Sequence, residues 1–144
     1  MSQDQTFRRI GAVALALAAG LWAAFLSAAE EGPRFHVAFT TDSKQTMTER
    51  AAFAPDTPKV YVIYMLADVP KGARLKALWF AEKVEGLAEN TKFDQAETVY
   101  SAAANGGAFS EGKPAKGNWP LGSYRVDLFI NDKLDKSVHF KVSR

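Results

Sequence analysis

The stretch Trp119-Pro120-Leu121-Gly122-Ser123-Tyr124-Arg125-Val126, continued by Asp127-Leu128-Phe129-Ile130, carries the signature on which the fold turns. From Tyr124 onward Tyr124, Val126, Leu128 and Ile130 occupy one parity, and Arg125, Asp127 and Asn131 the other. A period of two is the mark of a strand with one face buried. Pro120 stiffens the approach to that strand, and Gly122 permits a close backbone contact or a positive φ. Phe129 interrupts the polar side. Asn131-Asp132-Lys133 predicts a tight turn, and a last strand over Ser137 to Ser143 turns Val138, Phe140 and Val142 inward.

The same period extends upstream. Phe35, Val37 and Phe39 alternate with His36, Ala38 and Thr40, which predicts a half-buried first strand with the three apolar residues inside. Thr41 to Pro58 is polar and closes on Pro55 and Pro58, which read as a long connection with a helical turn around Thr46 to Ala52. Lys59 to Ala67 is apolar on both parities, so this strand is central or covered on its second face. Val69-Pro70-Lys71-Gly72 is a turn. Arg74 to Val84 is the next strand, with Leu75, Ala77 and Trp79 on one face and Lys76, Leu78 and Phe80 on the other. Glu85 to Asn118 has the weakest pattern. Phe93, Val99, Tyr100 and Phe109 are its expected core contacts, and Asn105-Gly106-Gly107 its expected hairpin tip.

The N-terminus has a different character. Arg8 and Arg9 precede the uncharged, proline-free run from Ile10 to Leu26, and Ser27-Ala28-Ala29 follows with small residues. A basic start, an apolar centre and an A-x-A-like site describe a secretory signal peptide cleaved near Ala29. The alternative is an uncleaved anchor, since 17 apolar residues are at the lower edge of a membrane span. Either way the remainder, residues 30–144, is expected as a single exported domain, periplasmic or extracellular, with any inner-membrane contact confined to residues 10–26. Without Arg8, Arg9 and Asp4 it has 16 basic and 15 acidic residues, a net charge of +1. That balance argues against a nucleic-acid partner, which needs a basic stripe. The chain has no cysteine, so neither disulfides nor thiolate chemistry is available.

Short strands, regular turns and a closing hairpin suggest a two-sheet sandwich. The pieces resemble an immunoglobulin-like fold across most of residues 30–144. Gly122-x-Tyr124-x-Val126 looks like the tyrosine corner at the start of strand F of that fold, and Trp79 stands where the core tryptophan of strand C falls. Val126, and Val62 or Tyr64, occupy the places of the two disulfide cysteines of antibody domains. The resemblance is therefore to the broader bacterial exported immunoglobulin-like or fibronectin-type-III-like sandwiches. It implies an all-β domain of about seven strands, preceded by the signal or anchor helix. It also implies that Tyr124 buries its ring while its hydroxyl bonds backbone at the preceding crossover. It implies no particular activity, because the architecture hosts many.

The residues offer little for catalysis. His36 and His139 are the two histidines, both on outward parities. With Met47 or Met65 they would suit copper, but no ligand spacing supports a metal site. There is no Gly-x-Ser-x-Gly elbow. Asp127 and Glu82 read as solvated carboxylates rather than an acid–base pair. No catalytic residue, metal or cofactor is therefore expected. Leu78, Phe80 and Phe129, flanked by His139 and Lys141, form an apolar cluster on the outside of the sheet, the mark of a protein-partner or self-association surface. A carbohydrate or small-ligand site built on Trp119 with Lys113 and Lys116 is the second reading, and a metal-binding or hydrolytic protein the third.

Overall fold

In the computed structural model the described residues are 32–144; the expected signal or anchor segment, residues 1–29, lies outside them. Each alternating stretch of sequence becomes a strand. They are β1 (Arg34–Thr41), β2 (Ala52–Phe53), β3 (Lys59–Ala67), β4 (Arg74–Val84), β5 (Thr91–Val99), β6 (Gly106–Gly112), β7 (Gly122–Ile130) and β8 (Lys133–Val142). Two sheets result, one ordered β1-β3-β6 and the other β2-β8-β7-β4-β5. All pairings are antiparallel except the short β2, which runs parallel to β8. The described residues are thus an all-β sandwich of eight strands.

Between the sheets lie Phe35, Val60, Val62, Leu75, Trp79, Tyr124, Val126, Leu128 and Phe140, all almost fully buried. These are the residues the two-residue period places inside. Val62 and Tyr64 of β3 join Trp79 of β4 and Val126 of β7 in one cluster, so apolar packing fills the space where a disulfide would sit. Asn131 and Asp132 both have positive φ and close the β7–β8 hairpin, the backbone geometry a two-residue turn requires.

Four β-bulges break the ladder registers. The extra residues are His36 on β1, Phe93 on β5, Glu82 on β4 and Asp135 on β8. An extra residue reverses the parity of every later residue in its strand. After His36, therefore, Ala38 and Thr40 turn inward, while Val37 and Phe39, expected inside, pair with Met65 and Ile63 on the outer face. Three other expectations are corrected. No helical turn forms over Thr46 to Ala52; a turn at residues 44–46 leads to β2 instead. Gly106 and Gly107 are the start of β6, not a hairpin tip. Of the segment's expected core residues Phe109 is buried, but Val99 is 62 % exposed and Phe93 is 38 % exposed.

The two sides of the sandwich differ. On one side the sheets are tied where the β1 amide of Phe35 donates to the Asp135 carboxylate of β8 at 2.7 Å. On the other side β6 and β5 are the free edges of their sheets. The loop from β6 to β7 crosses there and is pinned at its β7 end. The Trp119 amide donates to Pro55 O at 2.8 Å and its indole N–H to Thr57 O at 2.9 Å. The Tyr124 hydroxyl donates to Pro120 O at 2.6 Å. Gly122 has φ +147°, and a side chain there would overlap Lys83 O and Val84 Cα. Burial pushes the Tyr124 phenol up to about 12, so it stays a donor at any physiological pH. Tyr124→Phe strands the Pro120 carbonyl and is expected to cost about 1–2 kcal/mol in urea unfolding. Gly122→Ala must move backbone and is expected to cost more, about 3 kcal/mol. Equal unfolding midpoints for wild type and Tyr124→Phe would contradict this account.

Candidate functional site

Three surfaces carry the chemistry of the described residues: the outer face of each sheet and the open side between β5 and β6. On the five-stranded sheet β4 and β7 are neighbours, and Leu78, Phe80 and Phe129 project outward, each half-buried. Their surroundings are ionic. Arg125 sits directly across from Phe80 with its guanidinium 4.5 Å from the ring centre, and Lys76 lies 5.1 Å over Phe129. Arg125 also pairs with Glu82 at 2.9 Å and Asp127 at 3.0 Å, and Ser137 donates to Asp127 at 2.7 Å. His139 faces Glu82 at 3.6 Å. Glu82 and Asp127 are thus both engaged by one arginine. Cations over the rings occupy the faces a partner's apolar groups would need.

On the three-stranded sheet the outward apolar residues have fewer charged neighbours, with Val37 and Phe39 half-buried and Ile63 buried at 9 % exposure. Its outward residues are Val37 and Phe39 on β1, Tyr61, Ile63 and Met65 on β3, and Ala108 on β6. Phe39, Ile63 and Ala108 stand in one row across the strands, and Val37 and Met65 adjoin it. Met65 is 51 % exposed, and Lys44 approaches the Tyr61 ring at 5.7 Å at one end. The double-sided hydrophobicity of Lys59 to Ala67 is explained here: β3 is central, and its second face is an apolar surface. The period of β3 announced these residues; Val37 and Phe39 were missed because the bulge at His36 has no signal in the sequence.

The open side holds a cleft of about 230 Å³ lined by Leu87, Phe93, Glu111, Gly112, Pro114, Trp119, Pro120 and Tyr124. Trp119, the centre of the alternative carbohydrate reading, is 3 % exposed with its indole N–H donating to Thr57 O. Lys113 and Lys116 remain in solvent and are not among the lining residues. Phe93 reaches the cleft because it is the extra residue of the β5 bulge, and it packs edge-on against Trp119 and Tyr124. Asp94, exposed on β5, and Glu111, half-buried on β6, share a hydrogen bond between the two free edges. Burial, reinforced by Asp94, pushes Glu111 up to about 8, while that hydrogen bond holds Asp94 below its ordinary range. Two carboxyls that share one proton are the usual outcome of such a contact. His36 and His139 belong to different sheets, so the structure does not pair them as neighbouring strands of one sheet would.

No family model and no curated protein matches the chain. Among solved structures, an immunoglobulin-like protein from Pseudomonas aeruginosa aligns with TM-score 0.55 and 17 % identity, over 78 % of this chain and 98 % of that one. The described domain therefore has an immunoglobulin-like fold. An alkylpurine DNA glycosylase from Pseudomonas fluorescens, bound to DNA containing an abasic-site analogue, aligns with TM-score 0.49 and 12 % identity, over 78 % of this chain and 30 % of that protein.

The carboxyl pair has a pH signature. Glu111 moves from its usual 4.5 to about 8 on folding. Between those values the folded protein holds a proton the unfolded chain has lost, so stability falls as pH rises through the window and levels off above it. Glu111→Gln is expected to abolish that slope. At about pH 8.5 it should exceed wild type by on the order of 1 kcal/mol after screening, about 4 °C in Tm. Parallel Tm–pH curves for the two proteins would rule out the shared proton.

Proposed function

We propose that this chain is a non-enzymatic, exported binding module that contacts a protein partner through the outer face of its three-stranded sheet. The observation that carries this reading is the row Phe39–Ile63–Ala108 with Val37, Met65 and Tyr61 around it. A contiguous apolar face on a domain of nearly balanced charge is the usual mark of an interaction surface. Phe39 and Met65 are residue types enriched at such surfaces. The outer face of the other sheet, with Leu78, Phe80, Phe129 and His139, supports contact less well, because its rings already carry their cations.

Export follows from the N-terminal pattern of Arg8-Arg9, the apolar run and Ser27-Ala28-Ala29. Intact-mass measurement on protein recovered from the cell envelope is expected to show a chain beginning near Glu30; a full-length mass would point to the anchored form instead.

The contact surface is tested by photo-crosslinking in native envelope extract, with a benzophenone amino acid at Met65 or, on the opposite sheet, at Gln95. Discrete protein adducts are expected from position 65, none from position 95, and loss of the adducts when Phe39→Glu is added. No adduct from position 65 in a folded protein overturns the reading.

A further inference from the structure

Among the described residues the two sheets end on β1 and β6 and on β2 and β5, and these edges are not alike. β2 offers two residues, and β5 carries a bulge at Phe93 and the charges of Lys92, Asp94 and Glu97. On β1 the Phe35 amide is taken by Asp135 and the Thr40 carbonyl by the Arg50 amide. Short length, bulges, charges and covering groups are the devices that keep an edge from pairing. β6 has the fewest of them. Its seven residues pair with β3 without a bulge, it contains neither proline nor lysine, and its one charged residue, Glu111, is half-buried.

Hydrogen-bond phase decides what the β6 edge presents. The Leu66 amide donates to Asn105 O at 2.6 Å just before β6, and the Lys113 amide donates to Pro58 O at 3.0 Å just after it. Bonding residues alternate along an antiparallel ladder, so Gly107, Phe109 and Glu111 are spent on β3. Gly106, Ala108, Ser110 and Gly112 therefore turn their N–H and C=O groups away from it. These four stand opposite Met65, Ile63, Tyr61 and Lys59 on the outer face. All four are small, so they leave the β3 side chains beside them uncovered. We propose that the β6 edge takes up an extended segment of a protein partner as an antiparallel fourth strand, with an acidic side chain beside Lys59 and apolar ones beside Tyr61, Ile63 and Met65. This inference rests on the three-stranded sheet being the contact face and names how the partner holds it.

In strand addition the main chain supplies affinity and alternate side chains supply selectivity. Charge complementarity sets one position. Lys59 is exposed and its cross-strand neighbour is Gly112, so a carboxylate on the added strand opposite Gly112 reaches it across an empty place. An aliphatic side chain opposite Ala108 lies over a methyl group, meets Ile63 and lengthens the row Phe39–Ile63–Ala108 by one place. Opposite Gly106 it meets Met65, which is 51 % exposed. A second copy of β6 fits less well. In any antiparallel register it offers only glycine, alanine and serine on the outer face, with no acid for Lys59 and nothing long enough to reach β3.

The test is amide hydrogen exchange by NMR on the full chain, alone and with the acetylated, amidated peptide Glu-Thr-Val-Thr-Val-Thr-Val-Gly-Lys-Lys. Alone, the Ala108 and Ser110 amides should exchange fast while those of Phe109 and Glu111 are protected. With peptide, Ala108 and Ser110 should slow at least about tenfold. Changing the peptide's Glu to Lys should weaken binding about threefold, and Lys59→Glu should reverse that preference. Changing its second Val, opposite Ala108, to Ser should weaken binding about tenfold. Ser110→Pro removes an N–H that points off the sheet, so it should keep the Phe109 protection and lose the peptide; Lys59→Glu stands in if that variant does not fold. No slowing at Ala108 and Ser110 at about millimolar peptide, or equal affinity for the Glu and Lys peptides, overturns the proposal. So does protection of those amides in the free chain that grows with its own concentration, the mark of a second copy. Photo-adducts from position 65 that persist in Ser110→Pro also overturn it while leaving the contact face standing, so the two readings fail separately.

Discussion

A strand keeps its side chains sorted only while its register holds. Because successive residues face opposite ways, one inserted residue exchanges inside for outside for the remainder of that strand. This sandwich uses that constraint four times, and each inserted residue has a consequence. His36 sends Val37 and Phe39 outward. Phe93 swings onto Trp119 and Tyr124 and brings Asp94 behind it. Glu82 reaches Arg125 and His139. Asp135 accepts the Phe35 amide and closes one side of the domain.

The other side stays open because nothing equivalent joins β5 and β6 except a carboxyl contact and a loop. Trp119 holds that loop by giving both of its N–H groups to the β2–β3 connection, while Tyr124 takes Pro120. Tyr124 also stacks on Phe140 at 5.0 Å with the rings 3° from parallel, so the loop anchor and the core share one aromatic cluster. Trp79, at the centre of that core, leaves its indole N–H without an acceptor. A buried unsatisfied donor costs free energy, and here it is offset by the ring's near-complete burial against Phe140 and its neighbours. With no disulfide available, aromatic packing is the main resource for holding the sheets together.

The two outer faces show how similar compositions give different surfaces. Both contain phenylalanines on outward positions. On the five-stranded sheet the cross-strand neighbours are Arg125 and Lys76, so each ring is paired with a cation and a carboxylate network surrounds them. On the three-stranded sheet the cross-strand neighbours of Phe39 are Ile63 and then Ala108, neither of them charged. Direct cross-strand neighbours, more than the residues themselves, decide whether an outward ring is a covered surface or an available one.

Much of this was legible in the amino-acid order. The bounds of β3 and β4, the inward set of β7, the Asn131-Asp132 turn and the burial of Trp79 and Tyr124 come from local period and turn chemistry, which a sequence expresses directly. The apolar second face of β3 could be read as well, though not what would become of it. Tertiary structure alone decided the bulges, because a single added residue in a ladder is defined by its partner strand. It therefore decided that Val37 and Phe39 lie outside. It also brought Asp94 and Glu111, 17 positions apart, into contact. Each of those outcomes depends on which strand lies alongside, and alternation within one strand holds no record of its neighbour.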